Sequence, residues 1–173
     1  MKTKKNNVRF ISDLHLNHEK IYSQRGFKTI DEMNEHIISS WNSIVKNEDK
    51  TIVLGDFSLN KNDFKFLNLL NGNIIWVLGN HDTPQKIETV LQLGLKNKIK
   101  ISGAYEFFDK ELQLKIICTH IPIHESCIER YDINIHGHIH NTTYLGEKYV
   151  NVSPESIGYN PLTLKELLNN NNK

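Results

Sequence analysis

Eight polar residues, each placed just after an apolar run, carry the chemistry open to this sequence: Asp13, His15, Asp56, Asn80, His81, His120, His138 and His140. Imidazole, carboxylate and one carboxamide, with no thiolate in the set, suit borderline divalent cations such as Mn2+, Fe2+, Zn2+ or Ni2+ better than a structural zinc site. Seven ligating side chains exceed what one ion needs and match two ions that share a carboxylate, for which Asp56 is the natural bridge. Asp13 and His15, one residue apart, point to the same side of an extended segment and so can chelate one ion. Taken alone, that pair is weak evidence and reads better as a solvated loop. His18 either lines the same pocket or caps the turn that follows.

The elements that must position these residues are legible around them. Ile74 to Leu78 is a continuous apolar run, the pattern of a strand covered on both faces. It ends in Gly79-Asn80-His81-Asp82, where the glycine lets the chain turn sharply and places the polar residues at the strand's carboxyl end. Val8 to Ser12 repeats this grammar before Asp13-Leu14-His15, and Thr51 to Leu54 repeats it before Gly55-Asp56. Thr29 to Glu32 fits a capping box opening a helix with Met33, Ile37, Ile38, Trp41, Ile44 and Val45 at helical spacing. Residues 62–71 predict a short helix with Phe64, Leu67 and Leu70 on its apolar face and Gly72 as its stop. Thr83-Pro84 predicts an N-cap and first helical residue, with the helix running to Gly94. Short strands follow at 99–101, 105–108 and 112–118, the last ending in Thr119-His120. Ile133 to Ile135 leads into His136-Gly137-His138-Ile139-His140, residues 149–152 form a last strand, and 163–168 a closing helix.

Length and composition narrow the class. A chain of 173 residues is most simply one domain, 1–173. Lys+Arg 21 against Asp+Glu 20 gives no global field for long nucleic acid or an anionic membrane. The basic start, Met1 to Asn7, precedes an apolar run too short and too interrupted for a signal or membrane segment, so a soluble cytoplasmic protein is expected. The two cysteines, Cys118 and Cys127, show no CxxC spacing, which disfavours a disulfide framework or zinc knuckle.

In order along the chain, Asp13/His15, Gly55-Asp56, Gly79-Asn80-His81-Asp82, His120 and Gly137-His138-Ile139-His140 resemble the five motifs of the calcineurin-like metallophosphoesterases. The segment Gly158-Tyr159-Asn160-Pro161 is similar to that of the small bacterial and phage members without a cap domain. The resemblance implies an α/β fold of two packed mixed β-sheets flanked by helices, a four-layer α/β/β/α sandwich. It implies that Asp13, His15, Asp56 and His140 hold one metal, that Asp56, Asn80, His120 and His138 hold the other, and that His81 stays uncoordinated. Two such ions, roughly 3.5–4 Å apart, clamp a phosphoryl oxygen and acidify a bridging water, so that the resulting hydroxide attacks phosphorus in line. His81 then contacts a phosphate oxygen or protonates the leaving group. Mn2+ is the first choice of metal, with Fe, Zn, Ni or Mg as alternatives.

Further residues carry paired readings. Asp82 orients the His81 ring or caps the turn. Arg25 binds two oxygens of the substrate phosphate through its planar fork, or is structural. His136 supports a ligand or merely packs, His36 is a surface or packing residue, His124 and Cys127 sit in a surface loop, and Cys118 is a small buried hydrophobe. The expected substrate is a phosphate diester, small or nucleotide, with a monoester as the near alternative. Lys96, Lys98 and Lys100 are candidates to hold a short nucleic-acid strand. From a different class, a non-catalytic metal-binding scaffold on the same fold would not need all eight site residues.

Overall fold

The computed structural model describes residues 7–95, 98–141 and 145–171. The basic residues 1–6, Lys96 and the last two tail residues lie outside the described residues. In chain order the elements are β1 (Val8–Ile11), α1 (Ile21–Gln24), α2 (Ile30–Ile44), β2 (Lys50–Leu54), a 3-10 segment (Lys61–Leu69), β3 (Asn73–Val77), α3 (Pro84–Gln92) and β4 (Ile99–Ser102). There follow β5 (Tyr105–Asp109), β6 (Leu114–Cys118), α4 (Glu125–Ile128), β7 (Ile133–His136), β8 (Tyr149–Asn151), α5 (Pro154–Ile157), β9 (Leu162–Thr163) and α6 (Leu164–Asn171).

The strands form two mixed sheets. One has the order β4-β3-β2-β1-β9, with β1 to β4 parallel and β9 antiparallel at the edge. The other has the order β5-β6-β7-β8, with only β5 antiparallel. Register and the period of two sort the side chains into layers. Phe10, Ile52 and Ile75 align across the first sheet, with Leu54 and Val77 on the same face, and meet Ile116, Cys118, Ile135 and Val150 of the second sheet. Ile11, Val53 and Trp76 occupy the opposite face and pack under Met33, Ile37 and Trp41 of α2 and Phe64 of the 3-10 segment. The continuous apolar runs are thus strands buried on both faces. Over the outer face of the second sheet lies the connection carrying α4, tied down where Ile123 N–H donates to Asn134 Oδ1 and Tyr149 O–H donates to Ile123 O.

Local expectations hold with instructive differences. Thr29 accepts from Glu32 N–H, while the Glu32 carboxylate reaches Lys28 N–H, one residue before the cap. The predicted helix at 62–71 is a 3-10 segment, because Phe64, Leu67 and Leu70 recur every three residues and line one row at that pitch. Gly72 does not stop a helix; it has φ +82 and lies where a Cβ would press on Val45 and on the carbonyls of Lys46 and Asp49. The strand β9 and the single-turn helices α1, α4 and α5 carry no periodicity long enough to read. Among the described residues, no helix is long and apolar enough to cross a membrane.

Candidate metal centre

The carboxyl ends of the parallel strands from both sheets meet at one end of the sandwich, and the site is made of the loops that leave them. Beyond β1 and β2 the ladder continues into the loops: Asp13 N–H donates to Gly55 O, His15 N–H to Asp56 O and Leu16 N–H to Phe57 O, each at 3.0 Å. The β6 and β7 loops are joined likewise, Gly137 N–H donating to His120 O at 2.9 Å, and across the sandwich Ser12 N–H donates to Val152 O at 3.0 Å. The loop residues thus inherit the rigidity of the strands.

Two motif glycines are explained by close approach. A Cβ on Gly79 would lie 2.3 Å from Asp56 Oδ1, and one on Gly137 would lie 2.3 Å from Asp13 Oδ2. The expectation that Gly79 supplies a sharp turn is corrected accordingly: its φ is not in the left-handed region, and it is small because a carboxylate sits against its backbone. The left-handed positions are instead Asp13, His15, Asp56, His138 and His140, with φ between 48° and 69°.

All eight strand-end residues converge. Asp56, 2 % exposed, presents Oδ2 to three imidazoles: His120 Nε2 at 3.4 Å, His15 Nε2 at 3.9 Å and His81 Nε2 at 4.0 Å. Its Oδ1 accepts from His81 N–H at 3.1 Å. Asp13 turns Oδ2 to His138 N–H (2.9 Å) and Ser153 O–H (3.2 Å). Its Oδ1 is buried without a partner, 3.7 Å from His15 Nε2 and 4.0 Å from His140 Nε2. The ligand atoms of Asp13, His15 and His140 lie within 4.8 Å of one another, and so do those of Asp13, Asp56 and His120. His138 stands beside His120, ring centroids 5.0 Å apart.

The protonation pattern follows from the partners. His120 Nδ1 faces Leu54 O at 2.8 Å, and a carbonyl only accepts, so Nδ1 carries the hydrogen. In the neutral ring Nε2 is then a lone pair, yet it faces Asn80 Oδ1 at 2.7 Å and Asp56 Oδ2 at 3.4 Å. Three acceptors converge on one point, where a cation would remove the repulsion. Burial, with Arg25 next, pushes the His15 imidazole down to about 2, so this ring too offers a lone pair. A divalent cation fits this donor set, because orphaned carboxylate oxygen and neutral imidazole nitrogen are the ligands it takes.

The family model for calcineurin-like phosphoesterases matches residues 7–142. The chain belongs to that family. It is 33% identical over 171 residues to an uncharacterized protein of Methanocaldococcus jannaschii, covering 91% of this chain and 86% of the other. A gene 66 protein of Mycobacterium phage L5 is 30% identical over 107 residues, 57% of this chain and 47% of that protein. The crystal structure of a protein of unknown function from Aquifex aeolicus superposes with a TM-score of 0.72 at 26% identity, covering 94% of this chain and 97% of that one. Phosphoester hydrolysis with divalent metal ions is the family's chemistry, and the Asp/His clusters of this phosphoesterase are able to bind metal.

Other sequence readings are corrected or decided. Arg25 does not face the cleft of this phosphoesterase. Its side chain is 1% exposed, and its guanidinium donates to Glu155 Oε1 (2.8 Å), Leu14 O (3.0 Å) and Asp13 O (2.7 Å), so it braces the first loop from behind. Asp82 caps the turn: Oδ2 accepts from Gly79 N–H at 2.7 Å, Asp56 N–H at 3.0 Å and Trp76 Nε1–H at 3.0 Å. His18 does both things expected of it, accepting from Lys20 and Ile21 N–H while lining the cleft. His136 is buried beside Tyr149, His36 packs between Phe27 and Tyr159, and His124 caps α4. Cys118 is buried and Cys127 exposed. Lys98 is not free for phosphate, since its ammonium donates to Leu67 O and Leu70 O.

Sequence reasoning missed Glu155, Ser153 and Lys86. Lys86, buried on α3, donates to Ser58 O (2.9 Å) and His81 O (2.5 Å), fixing the loop that carries His81. A buried lysine on an amphipathic helix gives no sequence signal. Ser153 and Glu155 did give one: like the motif residues, they follow directly on an apolar strand.

Proposed function

We propose that this chain is a two-cation phosphodiesterase, carried by one domain spanning residues 1–173. Asp13, His15, Asp56 and His140 would hold one cation and Asp56, Asn80, His120 and His138 the other. The observation behind this reading is the cluster of acceptors around Asp56 Oδ2, which draws one imidazole from each ligand set, His15 at 3.9 Å and His120 at 3.4 Å. Mixed oxygen and imidazole donors favour Mn2+, with Fe, Zn, Ni or Mg as alternatives. When bound, the pair of cations supplies Lewis-acid polarisation of the phosphoryl oxygens and a nucleophile active at neutral pH.

His81 is the chain's own contribution at the reacting bond. Its side chain is 50% exposed and its backbone is fixed at both ends, by Asp56 Oδ1 and by Lys86 Nζ. This leaves the ring free to protonate a leaving oxygen. His81→Ala should therefore slow an alkyl phosphodiester about 10²-fold and a p-nitrophenyl ester less than tenfold, because p-nitrophenolate needs no proton to leave. Equal loss on both would remove His81 from the acid role.

The preference for a diester rests on two cavities that share His81. One, about 300 Å3, is lined by His15, His18, Gln24, Asp56, His138 and His140. The second, about 610 Å3, lies beyond Asn80 and His81 and is lined by Leu59, Asn60, Lys61, Thr83 and Gln85. A substrate with a substituent on each side of phosphorus has room in both, and nucleotide or short nucleic-acid diesters fit this description. Thr83 makes no capping hydrogen bond through its side chain, so its replacement costs little stability. Thr83→Trp should fill the second cavity, raising KM for a diester by about tenfold while leaving a monoester unchanged. The free cysteines accord with a reducing cytoplasm.

The direct test is Mn2+ content of the purified chain together with hydrolysis of bis-p-nitrophenyl phosphate and p-nitrophenyl phosphate. Two cations per chain and faster diester turnover are expected. Mn2+ uptake without turnover of either ester would leave the scaffold reading in its place.

A further inference from the structure

Behind the ligands lies a short segment that none of the five motifs contains, Asn151 to Ser156, spanning the end of β8 and the start of α5. Its side chains grip two loops at once. Ser153 O–H donates to Asp13 Oδ2 at 3.2 Å. Asn151 Nδ2 and Ser156 O–H both donate to His140 O, the latter at 3.0 Å, holding a residue whose φ is 49°. Glu155 Oε1 receives two donors from different loops, His140 Nδ1 at 3.0 Å and Arg25 Nε at 2.8 Å. Arg25 passes the restraint on to the first loop through Asp13 O and Leu14 O.

We propose that Glu155 is the positioning residue for His140, locking the ring with its hydrogen on Nδ1 so that the Nε2 lone pair faces Asp13 Oδ1. The argument is one of donor and acceptor counts. Arg25 Nε is an obligatory donor and already lies on Oε1, so that oxygen acts as an acceptor and the ring nitrogen beside it must donate. A neutral imidazole that donates from Nδ1 has its lone pair on Nε2, which is the atom 4.0 Å from Asp13 Oδ1. Without this partner the ring is free to place its hydrogen on Nε2, where it cannot ligate, and free to rotate out of the cluster. The carboxylate therefore selects both tautomer and orientation before any cation arrives. Carboxylate partners of ligating histidines act in this way elsewhere and contribute about 10–100-fold in metal affinity. The inference rests on the proposed metal centre for its purpose, but the tautomer can be read without a metal.

The test is long-range 1H–15N NMR of the histidine rings in the metal-free chain, recorded at rising pH until the 15N shifts of His140 show a neutral ring, because the bond to Glu155 raises its pKa. His140 should show the hydrogen on Nδ1 in the wild type and a mixture in Glu155→Ala. Glu155→Gln keeps an acceptor oxygen on Arg25 Nε and should preserve the wild-type tautomer. Calorimetry with Mn2+ should then show binding weakened about 10–100-fold in Glu155→Ala and only a few-fold in Glu155→Gln. Because Glu155→Ala costs stability by leaving the Arg25 guanidinium buried without its anion, the wild-type spectrum decides independently: hydrogen on Nε2 of His140 overturns the proposal. So does unaltered Mn2+ affinity in a folded Glu155→Ala. Failure of the wild type to bind Mn2+ while His140 keeps its Nδ1 hydrogen would refute the metal centre and leave the positioning role of Glu155 standing.

Discussion

Replacing Asp56 by asparagine is expected to lower diester hydrolysis by at least about 10³-fold, equivalent to about 4 kcal/mol of transition-state stabilisation, while the chain stays folded. The substitution keeps shape: an amide oxygen at the Oδ1 position still accepts from His81 N–H. What changes is the atom facing His120, His15 and His81 at 3.4, 3.9 and 4.0 Å. A carboxylate oxygen there is an acceptor among acceptors and draws a cation. An amide NH2 is a donor, satisfies the imidazole lone pairs directly and repels a cation. Two measurements therefore move in opposite directions. The metal-free Asp56→Asn chain should melt at or above the wild-type temperature, whereas added Mn2+ should raise the melting temperature of the wild type alone. Activity within tenfold of wild type would take Asp56 out of the centre.

Asp82→Ala should produce the largest loss of stability, about 3–5 kcal/mol by urea unfolding. One oxygen of Asp82 serves Gly79 N–H, Asp56 N–H and Trp76 Nε1–H, and its loss strands three donors in the interior. Each such orphan costs about 1–3 kcal/mol, with the sum reduced because the donors share one acceptor and relax together. Against a total stability of about 5–15 kcal/mol this is a large fraction. Asp82→Asn retains an acceptor oxygen and should lose only about 1–2 kcal/mol. Loss below 1 kcal/mol in Asp82→Ala would mean that water reaches these donors, contrary to the packing around Trp76. The same aspartate joins the β2 and β3 loops, so Mn2+ affinity should fall alongside stability.

The metal-capable cluster was legible because every one of its members follows an apolar strand, and parallel strands deliver their carboxyl ends to a common edge. That rule needs no knowledge of the pairing order. The order itself, with β9 returning antiparallel beside β1, was not legible: β9 is two residues long, and its placement depends on tertiary contacts such as Arg9 donating to Pro161 O. Which of its two readings holds for Arg25 was not legible for a related reason. A loop arginine before a capped helix looks exposed in sequence, and nothing local tells that two backbone carbonyls and Glu155 will surround it. The 3-10 segment could have been read, since Phe64, Leu67 and Leu70 repeat at three rather than at the alternating three and four of an α-helix. Glu155 lay within the strand-end rule and was passed over because it belongs to no motif.

The left-handed backbone at Asp13, His15, Asp56, His138 and His140 sets this chain's folding against its chemistry. Each such residue costs of order 1 kcal/mol relative to glycine, which adopts the same φ freely. Among the described residues, five of the eight non-glycine residues with positive φ are in the cluster. Selection for stability alone would replace them with glycine, and each replacement would delete a ligand. Most of the positions where glycine would relieve strain are therefore closed to improvement, and among the described residues only Asn17, Gln113 and Tyr159 remain open to it.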